Sequence, residues 1–255
     1  MRPAPSLATG AFSITHSDLF SFTANPACLA RLPSAAAGVY AERPYLLPEL
    51  NQVTMAAGIP AGKGRWGVEA MYMGTEGYHE IQTGIAYGRS FGEKLDLGVQ
   101  LNYHSAGFAS GYGSAGAISA DAGALLKVTG QLYAGIILVN PMGVGYRKEG
   151  MEKLPAFYSF GLGYTASDRF HCNMAIVKEA MQAPGIETAL QYRLMKICRL
   201  RAGLSTLTRS PWMGIGFLFR RLRVDLSVSH HPQLGFTPGM MLMIGGSSKK
   251  MVNGE

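Results

Sequence analysis

Charge is scarce in this chain, and so are long apolar runs. Only 15% of its 255 residues are charged, against about 25% in soluble domains. No stretch approaches the roughly 18 consecutive apolar residues that a membrane helix needs. The longest clean run, residues 132–139, has the length of a strand. The sequence therefore speaks against a helical membrane protein. The three cysteines, Cys28, Cys172 and Cys198, are odd in number and scattered. They fit neither a disulfide framework nor a metal-ligand spacing. No Lys/Arg tract interleaved with aromatics accompanies the net charge of +7, so the sequence offers no nucleic-acid surface. The charge reads instead as solvated turns and a basic rim that meets anionic lipid headgroups. Residues 1–15 hold one Arg and no apolar core of signal-peptide length, although an exported protein needs one. The expectation is that Met1 is a truncated start or that the chain has been trimmed.

What the chain does have is apolar and small. Hydrophobic residues make up 47%, and there are 33 glycines, nearly twice the number expected at the usual ~7%. Such a composition belongs to a membrane protein or a large all-β protein. If the chain crosses a bilayer without helices, it must do so as a closed barrel, because only closure pairs every backbone polar group in lipid.

From about Ser34 the sequence alternates with period two. In residues 94–104, Leu95, Leu97, Val99, Leu101 and Tyr103 share one face, and Asp96, Gly98, Gln100, Asn102 and His104 share the other. In residues 80–88, Ile81, Thr83, Ile85 and Tyr87 alternate with Glu80, Gln82, Gly84, Ala86 and Gly88. Ile186, Leu190 and Tyr192 alternate with Glu187, Gln191 and Arg193, and Val224, Leu226 and Val228 with Asp225, Ser227 and Ser229. This is strand periodicity; a helix needs 3.6.

Three features separate a membrane barrel from a soluble sandwich. The second face is small and polar, as at Gly161, Gly163, Gly214, Gly216, Ser119 and Asp121, which suits a wet or plugged lumen with lipid outside. Aromatics gather near strand ends (Trp66, Tyr72, Tyr87, Phe91, Tyr103, Tyr164, Tyr192, Trp212), where amphipathic rings suit the headgroup level. Finally, the pattern divides into about fourteen strands of about eight to eleven residues, the length of a tilted membrane strand. Counted from the strand at 36–43, the even-to-odd connections look short: 60–65, 90–93, 129–130, 166–169 and 221–222. The odd-to-even connections look longer: 105–116, 140–155 and 230–236. Short turns at one end and long loops at the other match periplasmic and extracellular ends.

The predicted organisation is an all-β transmembrane antiparallel barrel over 34–246. An N-terminal plug segment over 1–33 precedes it, and a polar tail over 247–255 comes after it. Residues 1–33 do not alternate. A short helix is expected within 17–32, broken at Asn25-Pro26 because proline restricts its predecessor. Leu19, Phe20, Phe22, Leu29 and Leu32 are too apolar for a free tail, so this segment is expected inside or across the periplasmic mouth, with Phe20, Phe22, Asn25, Pro26 and Ala27 holding it.

The segment Ser17-Asp18-Leu19-Phe20-Ser21-Phe22-Thr23-Ala24-Asn25-Pro26-Ala27 resembles the N-terminal signature of FadL-type outer-membrane porins. The rest looks closer to the PorV/PorQ-like branch of that superfamily. Val139-Asn140-Pro141-Met142-Gly143, Leu154-Pro155 with Gly161-Leu162-Gly163-Tyr164, Glu187 with Gln191-Tyr192-Arg193, and Asp225 to His230 with Leu234-Gly235 are similar to its motifs. The resemblance implies a plugged barrel of the same strand number that carries hydrophobic compounds. For the PorV/PorQ-like branch it implies a subunit that serves type IX protein secretion.

No group of residues reads as catalytic, and no cofactor or metal is expected. Gly111-Tyr112-Gly113-Ser114-Ala115-Gly116 spells a dinucleotide motif. Residues 118–128 just beyond it read as strand, not as the helix the motif requires, so a flexible loop is favoured. His230-His231 and His171-Cys172 are adjacent pairs whose side chains point to opposite strand faces, so neither chelates. Cys198 lies near Lys196 and Arg199 without a His/Asn constellation and reads as a turn residue. The face assigned to the lumen carries Glu69, Glu80, Asp96, Gln100, Asp121, Lys127, Glu187, Arg193, Arg201, Arg220 and Asp225. A network of paired charges and waters is the plainer reading of that set, and a conduction or binding path the sharper one. Three functions stand as expectations: a barrel passing or binding a hydrophobic small molecule, a non-conducting scaffold or cargo-binding subunit of a secretion machine, or a soluble all-β binding protein. The partners implied are outer-membrane lipid, a hydrophobic ligand and a secretion-machinery protein, and not nucleic acid.

Overall fold

A computed structural model describes residues 4, 6–75, 77–108, 114–146, 153–180 and 182–245. Fourteen antiparallel strands succeed one another in chain order. They are β1 (Ala36–Glu42), β2 (Gln52–Ala61), β3 (Gly64–Gly74), β4 (Tyr78–Phe91), β5 (Leu95–Phe108), β6 (Ser114–Lys127) and β7 (Leu132–Val139). Then come β8 (Phe157–Ser167), β9 (Phe170–Glu179), β10 (Gly185–Arg193), β11 (Cys198–Ser205), β12 (Ser210–Phe219), β13 (Leu222–His231) and β14 (Gly235–Gly245). Each strand pairs with its neighbours in sequence, and β1 pairs with β14 to close the ring. Closure leaves no strand edge unpaired, the condition for a sheet to sit in lipid. No helix among the described residues is long and apolar enough to cross a membrane.

Period two sets which face each residue takes. Val68 opposes Ile85, and Ile85 opposes Leu101, in one outward row across β3, β4 and β5. Val99 and Leu101 are 58% and 59% exposed. An outer wall so largely apolar has no place in water and is what a barrel presents to lipid. The inward rows are polar or small: Glu69, Gly84, Asn102 and Ser119 are opposite one another across β3–β6.

The odd-to-even connections are longer on average, as the sequence predicts, but those at 75–77, 206–209 and 232–234 are as short as the even-to-odd turns, so the long connection expected over 230–236 is mostly strand. The even-to-odd turns are 62–63, 92–94, 128–131, 168–169, 194–197 and 220–221, and the odd-to-even connections reach their longest at 43–51 and 140–156. Several strands outrun their expected bounds. The connection expected over 105–116 is largely strand, with β5 running to Phe108 and β6 starting at Ser114. Within the glycine-rich motif, Ser114 to Gly116 begin β6, and 111–113 lie outside the described residues, as does the polar tail.

Two expectations are corrected. Arg220 is not on the inner wall: it occupies the β12–β13 turn, exposed, with φ of 51°. Alternation extends to it only if β12 is continued past its end. Trp212 does not lie at a headgroup surface, being only 6% exposed and packed over Gly203 on the inner face. Period two already places it with Gly214 and Gly216.

Candidate functional site

The lumen has two halves along the barrel axis. The half next to the short turns is filled by the chain's own N-terminal segment. This segment folds as a 3-10 turn at Leu7–Gly10, one α-helical turn at Ser21–Ala24 (α1) and a 3-10 helix at Pro26–Arg31. The break between the last two falls at Asn25-Pro26. Asn25 is 0% exposed. Its Nδ2 donates to the Ala11 carbonyl at 2.8 Å, and its Oδ1 accepts from the Ala27 N–H at 3.1 Å. At the start of α1, the Asp18 carboxylate accepts from the Ser21 N–H at 3.1 Å while Ser21 Oγ accepts from the Asp18 N–H at 3.0 Å. That reciprocal cap satisfies donors a one-turn helix leaves free.

Glycines on the inner wall make room for the segment. A side chain at Gly98 would run into the Pro26 backbone, and one at Gly123 into the Asn25 side chain. Phe12 covers Gly161, while Phe20 lies over Gly38 and Leu29 over Gly67 and Gly88. Phe20, Phe22 and Ala27 are fully or almost fully buried, and Pro26 is buried with them. Burying two Phe and the Leu19, Leu29 and Leu32 side chains removes apolar surface at about 25 cal/mol per Å², which sets the N-terminal segment against the wall without any long helix.

Charge also fixes the segment, on the β10–β13 side. Asp18 accepts from Arg223 at 2.7 Å and from Arg201 at 3.4 Å. The same two arginines hold Asp225, at 2.5 Å and 2.9 Å. Gly216, opposite Asp225 in register, leaves space for its carboxylate. The network runs on from Arg201 Nε to Gln191 Oε1 at 2.9 Å, and from Gln191 Nε2 to His16 Nδ1 at 3.1 Å. His16 stacks on His171 with ring centroids 5.0 Å apart. Burial, reinforced by Arg199 and then Arg193, pushes the His16 pKa down to about 4, so the imidazole there is neutral. Burial likewise raises the Cys28 thiol, which rules out a reactive thiolate. Across the lumen, Arg31 donates to Asp96 at 2.6 Å.

The half next to the long loops holds a pocket of about 90 Å³. Its floor is the N-terminal segment, at Ala8, Ala11, Phe12 and Ala24. One wall is apolar: Ile137, Val139, Leu154, Phe157 and Val177. The adjoining wall is polar, with Glu69, Gln82, Asn102, His104, Ser119 and Asp121. Gln82 Nε2 donates to Glu69 Oε1 at 2.9 Å, Gln100 Nε2 to Asn102 Oδ1 at 2.8 Å, and Asn102 Nδ2 to Asp121 Oδ2 at 2.6 Å. His104 and Ser119 share a 2.9 Å hydrogen bond.

Of the residues assigned to the lumen, Glu69, Asp96, Gln100, Arg201 and Asp225 are buried on the inner wall, and Asp121 is half-buried beside them. Glu69, Asp121 and Glu187 meet at the pocket, whereas Arg201 and Asp225 meet at Asp18. Glu80, Lys127 and Arg193 hold inner-face positions nearer strand ends and are half-buried; Glu80 accepts from Tyr78 Oη at 2.5 Å. Sequence reasoning missed Arg223, Asp18, His16 and Phe12. Arg223 was within reach, since it shares its parity with Asp225. His231 Nδ1 accepts from the Gln233 and Leu234 N–H groups at 3.2 and 3.3 Å, which caps its loop. Cys198 begins β11. Among the described residues no group of three potential ligands could hold a metal ion.

No family model and no curated protein matches the chain. Solved structures do. The CymD monoaromatic hydrocarbon channel aligns with a TM-score of 0.68 at 13% identity, over 93% of this chain and 94% of that one. The toluene transporter TodX of Pseudomonas putida aligns at 0.67 and 11%, over 95% and 96%. A Pseudomonas aeruginosa FadL homologue aligns at 0.60 and 12%, over 93% and 95%. The fold is that of these barrels. At such identity the likeness is one of fold and leaves the pocket residues to be read on their own.

Proposed function

We propose that this protein is an outer-membrane channel that takes a small hydrophobic compound into its lumen and passes it beyond the N-terminal segment, which acts as the plug. One observation carries the reading: the pocket lies directly against the segment, with an apolar wall on one side and Phe12 in its floor. The fold supports it, since it is shared with a monoaromatic hydrocarbon channel and a toluene transporter. The apolar outer wall supports the membrane location.

The pocket of about 90 Å³ is smaller than the ~150 Å³ dry cavity known to accept benzene. Passage of a ring therefore requires the segment to shift. Deleting residues 1–33 is the test. The barrel is expected to fold and to become more permeable to small solutes in liposomes; unchanged permeability would refute the plug.

The same small volume favours a second reading, in which the barrel is a non-conducting subunit of a protein secretion system, as the PorV/PorQ-like motifs imply. Toluene flux through the intact protein in liposomes separates the two. Flux above empty vesicles supports the channel, and none supports the subunit.

A further inference from the structure

The pocket's polar wall has more acceptors than donors facing them. The three amide nitrogens of Gln82, Gln100 and Asn102 are each turned toward a neighbouring oxygen, and Asp121 also accepts the Asn140 N–H at 2.9 Å. Glu69 Oε2, Gln82 Oε1 and Gln100 Oε1 remain buried with no hydrogen-bond partner. All three residues are more than nine-tenths buried, at 5%, 7% and 3% exposure. Glu69 and Gln82 line the pocket itself. Gly84, opposite both Glu69 and Asn102 in register, leaves the space in which Glu69, Gln100 and Asn102 gather. An ionised carboxylate accepts and never donates, and a proton on Glu69 would supply one donor among three unpartnered oxygens, so in either state the cluster keeps an acceptor without a donor. Buried acceptors without donors are costly, and a ligand that brings a donor relieves that cost.

Resting on the channel reading, we infer that the pocket selects small apolar compounds carrying a hydrogen-bond donor, a hydroxyl or an amine, over bare hydrocarbons of the same shape. The apolar body lies against Ile137, Val139, Phe157 and Phe12, and the donor points to Glu69 and Gln82. Ligand sites of this kind are mostly apolar, with a few polar groups that fix orientation. A site built around a hydrogen bond discriminates strongly against the analogue that lacks it.

The test is titration calorimetry with the full chain in lipid nanodiscs, with protein-free nanodiscs as the blank. Phenol, aniline, anisole and toluene share a ring and nearly a size, and only the first two donate. Phenol and aniline are expected to bind at least about tenfold more tightly than toluene and anisole. Glu69→Gln keeps the shape, replaces one acceptor by a donor, and should bring phenol down to the level of toluene while leaving toluene unchanged. Folding of the variant is checked by its heat-modifiable mobility on gels; if it fails to fold, the four-ligand series on the wild-type chain decides alone. Toluene binding as tightly as phenol, or a preference unchanged by Glu69→Gln, overturns the inference and leaves the channel reading standing. Binding of none of the four overturns both.

Discussion

The two sides of the lumen are both polar, yet they are built on opposite terms. On β10–β13, Arg201 and Arg223 face Asp18 and Asp225, so two cations meet two anions and every contact is charge-assisted. On β3–β6 there are carboxylates and amides, and several oxygens have no donor. The first side is closed on itself and holds the N-terminal segment. The second is open to the pocket. Total lumenal polarity thus says little about what a barrel wall does; the balance of donors and acceptors along each arc says more.

The largest test of this contrast is Arg223→Ala. It removes the cation that bridges the buried Asp225 and the half-buried Asp18, and breaking a buried pair from one side costs about 3–5 kcal/mol. The urea midpoint of the folded barrel should fall accordingly. Asp18→Asn sharpens the point: the barrel should remain folded while proteases gain access to the N-terminal segment. Equal protection in Asp18→Asn and wild type would break the assignment of this side as the anchor.

Val99→Arg comes next. It puts a cation on the outer wall, where the midplane cost is about 2–4 kcal/mol, and folding yield in lipid vesicles should drop. Gly98→Val then probes the opposite face of the same strand. Its side chain would meet the Pro26 backbone, and overpacking of this kind costs about 1–3 kcal/mol. Gly98→Val should raise liposome permeability by displacing the segment, whereas Val99→Arg should not.

A pH effect belongs to the anchor side as well. The folded-state pKa of His16, about 4, lies below the ordinary 6.5. Between those values the unfolded chain binds more protons, so stability falls as pH drops from 6.5 toward 4. Below 4 this group contributes no further change. His16→Gln should flatten that part of the stability profile. The smallest effect belongs to Arg220, whose left-handed φ of 51° suits glycine better. Arg220→Gly should raise the urea midpoint by an amount worth up to about 1 kcal/mol.

Much of the fold is legible because a strand writes its two faces into alternate residues. Leu97, Val99 and Leu101 against Asp96, Gly98 and Gln100 give the wall and its outward face at once. The Asn25-Pro26 break is legible for a similarly local reason. Arg220 is misplaced by the pattern because alternation carries no marker for where a strand stops. Trp212 misleads because an aromatic near a strand end suggests an interface residue, against its own parity. The site is less legible. Asp18 meets Arg223 across 205 positions in sequence, and the Glu69–Gln82 and Asn102–Asp121 pairs depend on register. Nothing in one strand's sequence states its partner's register.

The seam between β1 and β14 has a consequence for how the molecule is made. Every other strand pairing joins consecutive strands through a turn or loop, while this one joins Ala36 to Gly245. The N-terminal segment enters just ahead of β1 and ends up encircled. Hairpins can zip locally, but the ring has to shut around its own beginning, and that last contact bears the loop-closure entropy of nearly the whole chain. The apolar segment gives the curling sheet something to wrap. On the proposed reading of the segment as the plug, the same residues would serve as the mandrel on which the cylinder closes, and a chain lacking them is expected to reach the closed state more slowly even where the finished barrel stands unaided.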